Sequence, residues 1–257
     1  MKGLLGSDLK MIAVVLMVLE HSAEVLAHVS GIDALIPILH YAGRIVFPVF
    51  VFLMVEGFFK TSNRVRYMGR VFGFAAFMSV GSITLLYVIA YVSGQSMGDL
   101  AWTDSGLLFL IRPLGYNVLW SLGTGLLFLY LWDQVRGSSL EKKVLLVMSL
   151  LCLWLFSLLN EFSYLIVPLF VILYWAYGDS KKVLLGYGAY CGMVAIAEYG
   201  TYGELFHDGY QWIMLAAVPL FLLYNGEKGN ARWRYLFYVV YPLHLWALFI
   251  LRYFLNI

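Results

Sequence analysis

The sequence predicts an all-α, polytopic integral membrane bundle of about nine transmembrane helices, between eight and ten, with its N-terminus in the cytoplasm. Three observations predict it. Hydrophobic residues make up 62% of the 257-residue chain and charged residues 12%, against about 45–50% and about 25% in soluble domains. The apolar residues fall into long runs separated by short polar gaps. Thirteen of the seventeen Lys and Arg residues lie in gaps on one side of those runs, which orients the chain by the positive-inside rule.

In chain order the runs are Leu9–Ala27, Ile38–Phe59, Val71–Val92, Val118–Leu131, Val144–Leu159, Tyr164–Tyr177, Val183–Tyr199, Tyr210–Leu223 and Trp233–Phe254. The first follows Lys2 but carries Lys10, Glu20 and His21, which interrupt any signal-peptide core, and no small-residue cleavage site follows. It reads as a retained helix. Several later runs are shorter than the ~20 residues of a perpendicular crossing. They are flanked by Trp154, Trp175 and Trp212, as interfacial helix ends are.

An N-terminus inside places Lys2, Lys60, Arg64, Arg66, Arg70, Arg136, Lys142, Lys143, Lys181, Lys182, Lys228, Arg232 and Arg234 on the cytoplasmic side. The opposite gaps carry Asp99, Asp104, Glu161, Glu204 and Asp208, with Arg112. The C-terminus is expected outside, and residues 1–257 form one transmembrane domain with no room for a soluble one. The net charge of +2 reflects this loop bias. No basic helix is present, so nucleic acid is not an expected partner. Cys152 and Cys191 lie in apolar runs and read as structural thiols.

Ionisable residues inside apolar helices mark the candidate site. Lys10, Val14, Met17, His21, Glu24 and His28 recur at helical spacing and form one stripe. Lys10 and His21 are eleven residues apart, ~16 Å along the axis. Glu24 is spaced to meet His21, whereas Glu20 points ~100° away and needs a partner on another helix. A histidine oriented by a carboxylate is the minimal general base. Lys10 has the simpler reading of a snorkelling side chain and His21 that of a hydrogen-bonded structural residue.

The last run places His244 at a depth close to that of His21, two residues beyond Pro242, whose missing N–H leaves the carbonyl of Tyr238 without its helical donor. Arg44, in Gly43-Arg44-Ile45-Val46-Phe47-Pro48, needs a carboxylate such as Glu20 or Glu24, or an anionic substrate group. Two inner loops, Lys60–Tyr67 with Arg64 and Arg66, and Tyr224–Gly229 with Asn225 and Lys228 leading to Arg232, suit a phosphorylated ligand. Basic inner loops also follow from topology alone. No metal-ligand spacing or Walker motif occurs, so no metal is expected.

Several blocks resemble the TraX family of membrane proteins, and more remotely the acyltransferase-3 superfamily. They are Leu9-Lys10-Met11-Ile12-Ala13 with His21, Gly43-Arg44 through Phe47-Pro48, Glu56-Gly57, Thr61–Tyr67, Leu223–Gly229, Phe237-Tyr238 and Tyr241–Leu245. They cover roughly a third of the chain; the middle, from Val80 to Val218, matches only through Asn117-Val118-Leu119. The resemblance implies acetyl transfer from acetyl-CoA, with N-terminal acetylation of conjugative pilin as the best-known activity. A basic residue followed eleven positions later by histidine, as in Lys10 and His21, is similar to the superfamily's pattern. Glu20 stands where the family usually has aspartate.

The resemblance thus implies a cytoplasmic-membrane acyltransferase. His21, Glu20, Glu24, Arg44 and His244 would form the catalytic group, with Lys10, Arg64, Arg66, Asn225, Lys228 and Arg232 holding acetyl-CoA. The acceptor would be a pilin, another outward-facing peptide or a small molecule. His21 would either remove the acceptor's proton or carry the acetyl group transiently. Two other readings stay open: a proton-coupled transporter using the same buried cluster, and a non-catalytic assembly factor.

Overall fold

A computed structural model describes residues 3–28, 31–94, 117–135, 138–157, 163–230, 233 and 235–255. Of the residues singled out above, Lys2, Asp99, Asp104, Arg112, Arg136, Glu161, Arg232 and Arg234 lie outside the described residues, as does the side chain of Glu24. Every described element is helical, and the one β-type pairing among them is an isolated bridge between Leu4 and Tyr224.

The helices are α1 (Gly6–Leu26), α2 (Leu35–Gly43), α3 (Val46–Lys60), α4 (Arg64–Ser93), α5 (Val118–Val135), α6 (Leu140–Ser157) and α7 (Ser163–Trp175). A π-helical turn, Val183–Tyr187, then runs into α8 (Gly188–Tyr202). A 3-10 segment, Gln211–Ala217, leads into α9 (Val218–Leu223), and α10 (Leu236–Leu255) closes the chain.

Among the described residues the nine predicted runs fall largely on helix, but only four stretches are long and apolar enough to cross a membrane. They are Leu35–Lys60, Arg64–Ser93, Val118–Val135 and Leu236–Leu255. Charge removes α1 from this set, because each of its 18-residue windows contains at least three of Asp8, Lys10, Glu20 and Glu24. Glu141, Lys142 and Lys143 do the same to α6.

The second predicted run, Ile38–Phe59, is not one helix. It breaks between Gly43 and Val46, where Arg44 and Ile45 donate to Tyr41 and Ala42 three residues back, at 3.2 and 3.3 Å. Pro48 explains the break, since it has no N–H to give the carbonyl of Arg44.

The residues cluster in two compact units, Met1–Glu56 with Ile172–Ile257, and Gly57–Val171. In the first, α1 packs on α2 and α10, and α8 packs on the 3-10 segment. Leu9, Ala13, Val14 and Met17 give α1 its buried stripe. The π-turn aims the fully buried Tyr187 so that its hydroxyl donates to the Met214 carbonyl at 2.6 Å. Widened turns of this kind re-aim side chains. In the second unit, Asn117 caps α5 by accepting from Leu119 N–H and ties it to α4 by donating to the Ala75 carbonyl at 2.9 Å. Gly123 and Gly125 let the rings of Phe72 and Phe170 lie against the α5 backbone. Small residues at helix contacts are the usual device in membrane bundles, where burial of apolar surface gives no net drive.

One junction bears directly on the site. The strand-like segment before α1 pairs with the Tyr224–Glu227 loop: Leu4 N–H donates to Leu223 O at 2.7 Å, Asn225 N–H to Leu4 O at 3.0 Å, and Gly6 N–H to Glu227 O at 2.7 Å. Gly229 has φ +75° and meets Ser7, whose Oγ a Cβ at that position would strike. Replacing Gly229 by Ala adds left-handed strain of about 1–2 kcal/mol to that collision, so the melting temperature should fall by several degrees. Gly192→Ala on α8, where a Cβ meets nothing within 4 Å, should leave it unchanged or raise it slightly. Thermal melts of the two variants in detergent check the pair.

Candidate functional site

His21 and His244 meet in the first unit. Nδ1 of His21 lies 2.9 Å from Nε2 of His244, with ring centroids 5.1 Å apart and planes 20° from parallel. Helix α1 delivers the first ring and α10 the second, and His244 is buried. Nδ1 of His244 lies 2.7 Å from the Val240 carbonyl. A carbonyl only accepts, so that nitrogen carries a hydrogen, which leaves Nε2 of a neutral His244 as an acceptor. The hydrogen between the rings therefore belongs to Nδ1 of His21. The other His21 nitrogen, Nε2, lies 3.3 Å from Glu20 Oε2. Bare, it would set a lone pair against a carboxylate; protonated, it forms an ion pair. The pattern is electrostatically complete when the pair holds one proton beyond the two of the neutral rings.

Glu20 is the hub of the site. Its Oε1 accepts from Arg44 Nη2 at 2.7 Å, while His40 Nδ1 stands 3.9 Å away. Both side chains of the Glu20–Arg44 pair are about one-fifth exposed. A guanidinium at the α2–α3 break thus supplies the partner on another helix that Glu20 requires. Glu20 also reaches back to His21, its immediate neighbour, despite the ~100° between their directions on the helix. Gly43 makes this possible: a Cβ there would collide with Cγ, Cβ and Cδ of Glu20. The carboxylate passes through the slot where a side chain would be.

Arg44 is engaged on all sides. Besides Glu20, Nη1 donates to Gln211 Oε1 at 3.0 Å and Nε to the His40 carbonyl at 3.3 Å, and the guanidinium lies 5.3 Å from the centre of the Tyr210 ring. Gln211 is fixed by Glu198, which is buried and accepts from the backbone N–H groups of Gln211 and Trp212 at 2.7 and 3.1 Å. Tyr41 donates to the Phe206 carbonyl beside Tyr210. Sequence reasoning missed Glu198 and Gln211. Glu198 carried the same signal as Glu20, a carboxylate inside an apolar run. Gln211 carried none.

The expected donor-binding residues divide between the two units. Lys10 lies on α1 between the loop junction and His21, half-buried. Asn225 and Lys228 are exposed on the loop paired to the start of α1, where Asn225 Oδ1 accepts from Glu227 N–H at 2.9 Å. Tyr224 anchors that loop by donating to Glu56 Oε1 at 2.8 Å. Burial, reinforced by this bond, pushes the Tyr224 phenol well above its usual range, so it stays a donor at any physiological pH. In the second unit Arg64 pairs with Asp133 and lies over Phe58, while Arg66 is exposed and its backbone N–H is capped by Asn63.

The TraX protein family model matches residues 5–252 of the chain. The chain belongs to the TraX family. The match spans the histidine pair, the Arg44 break and the Tyr224–Gly229 loop alike. A curated relative, the probable fimbrial assembly protein FimC, serogroup H1, of Dichelobacter nodosus, is 30% identical over 248 residues, covering 93% of this chain and 91% of that one. No solved structure matches. With its long apolar helices, this TraX-family protein is a membrane protein.

Because Glu20 and Arg44 are largely withdrawn from solvent, removing one strands the other. Arg44→Gln and Glu20→Gln should each lower stability, and the double variant should lose less than the sum of the two single losses, with a coupling on the order of 0.5–3 kcal/mol. A double-mutant cycle of denaturation measures it.

Proposed function

We propose that the protein is an acyltransferase of the cytoplasmic membrane, crossing it about nine times with its N-terminus inside. It would carry an acetyl group from cytoplasmic acetyl-CoA to an amine or hydroxyl presented at the outer face. The observation that carries this reading is the His21–His244 pair, held by the Val240 carbonyl on one side and the Arg44-bound Glu20 on the other.

Transfer from a thioester to an amine requires one proton to leave the nucleophile and one to reach the departing thiolate. His21 does both in this scheme. The looser 3.3 Å contact at Nε2, against 2.9 Å at Nδ1, makes Nε2 the nitrogen at which protons exchange. Taking the acceptor's proton there completes the ion pair with Glu20, and His244 holds the ring in the required tautomer through the hydrogen it accepts. Glu20 stabilises the charge that arrives, and Arg44 keeps Glu20 ionised and aimed.

The donor would enter along α1. Lys228 and Asn225 would take phosphates at the loop paired to the start of that helix, Lys10 would sit along the path, and Arg232, which lies outside the described residues, is a further phosphate candidate from the sequence. The ~16 Å from Lys10 to His21 suits an extended pantetheine arm. Arg64 and Arg66 are further phosphate candidates. The relative's name, a fimbrial assembly protein, supports a pilin-like N-terminal amine as the acceptor.

Acetyl-CoA at about 100 times its dissociation constant should stabilise the protein by roughly 2.7 kcal/mol. The shift should vanish in Lys228→Ala and persist in His21→Ala, with Arg64→Ala/Arg66→Ala showing whether those arginines share the load. In proteoliposomes, His21→Ala should lose about 10²–10⁴-fold of the wild-type transfer rate. Normal turnover by that variant sinks the mechanism. Absence of any acetyl-CoA shift, together with proton-driven solute uptake, would instead favour a transporter built on the same cluster.

A further inference from the structure

Gln211 holds an amide nitrogen that no described residue uses. Its Nε2 is buried and has no hydrogen-bond partner among the described residues. The orientation of the amide is fixed, because Oε1 accepts from Arg44 Nη1 at 3.0 Å and turning it over would set the NH2 group against the guanidinium hydrogens. The backbone is fixed as well, through the two bonds to the buried Glu198 carboxylate. A buried donor left without a partner is destabilising. Here it stands on the same hydrogen-bonded chain as the reacting histidine: Gln211 to Arg44, Arg44 to Glu20, Glu20 to His21.

Resting on the acyltransferase reading above, we propose that Gln211 is a catalytic residue whose Nε2–H binds the carbonyl oxygen of the acyl group. The acceptor's lone pair adds to the thioester carbon as His21 Nε2 takes the acceptor's proton, and the carbonyl π electrons move to oxygen. The Nε2–H of Gln211 stabilises that oxyanion. On collapse the carbonyl re-forms, the C–S bond breaks, and the thiolate of coenzyme A receives the proton from His21. Arg44 then organises two groups at once, the carboxylate facing the base and the amide facing the oxyanion, so donor and base keep a fixed relation.

The test compares wild type, Gln211→Glu and Gln211→Met. Glutamate still accepts from Arg44 but has no hydrogen to give; methionine does neither. Acetyl-CoA labelled with carbon-13 at the acetyl carbonyl is bound to each, and the thioester stretch is read by isotope-edited infrared difference spectroscopy beside kcat and the thermal shift. We expect all three to bind acetyl-CoA. In wild type the band moves to lower wavenumber than in free acetyl-CoA; in both variants it returns, and kcat falls about 10²–10³-fold. Near-normal turnover by Gln211→Glu with loss in Gln211→Met would overturn the proposal and leave Gln211 as a support for Arg44. An unshifted band in wild type, or an unchanged one in both variants, overturns it too. If methionine prevents folding, Gln211→Glu decides alone. Failure of wild type to bind acetyl-CoA defeats the acyltransferase reading itself, which separates that failure from loss of the Gln211 role.

Discussion

A carboxylate two-thirds of the way along α1 is the constraint on which the site depends. Glu20 cannot stay ionised there without compensation, since an unpaired charge away from water costs several kcal/mol. Arg44 compensates it directly at 2.7 Å and His21 adds a second contact at 3.3 Å. Each partner has its own requirement. Arg44 needs a helix break to turn inward, which Pro48 provides, and Glu20 needs an empty slot to cross, which Gly43 provides. Gly43-Arg44 through Pro48 is therefore one device, and His21 inherits its orientation from it.

The same helix connects that device to the loop paired to its own start. The backbone bridge between Leu4 and Tyr224 pins the Asn225–Gly229 loop to the start of α1, and Tyr224 fastens it to Glu56. Gly3 and Gly6 let backbone approach backbone there, since a Cβ on Gly3 would lie 2.5 Å from the Leu223 carbonyl oxygen, and Gly229 leaves room for the Ser7 side chain. A rigid helix with a loop clamped to one end and a histidine near the other sets a fixed distance between two functions. Such a spacing is what a long, flexible donor molecule requires if its reactive end is to be placed reproducibly.

Much of this was legible in the chain. Among the described residues the apolar runs located the long helices, because hydrophobic stretches of that length leave few alternatives. Charges inside those runs located His21, Glu20 and Arg44 for the same reason. What stayed hidden depended on contacts rather than pattern. The helical wheel separates Glu20 from His21, and only the missing Cβ of Gly43 on a neighbouring helix brings the carboxylate back. The roles of Gly3 and Gly6 carry no local signal, because what they approach is a loop more than two hundred residues away. Gln211 sits in a short 3-10 segment with no charge and no periodicity, so nothing in the sequence distinguishes it from an ordinary interfacial amide. The break of Ile38–Phe59 was implied by Pro48, yet its consequence for Arg44 needed the geometry.

The account turns on where the hydrogens of two histidines reside. Nitrogen-15 NMR of the histidine-labelled protein in lipid, with His21→Gln and His244→Gln for assignment, reads this directly. We predict His244 neutral with its hydrogen on Nδ1, and His21 with its hydrogen on Nδ1 and a scalar or dipolar coupling across the Nδ1–Nε2 contact, leaving Nε2 as the nitrogen that takes the acceptor's proton. Two neutral rings each bearing their hydrogen on Nε2, with no coupling between them, would contradict the shared-proton pair and the mechanism built on it.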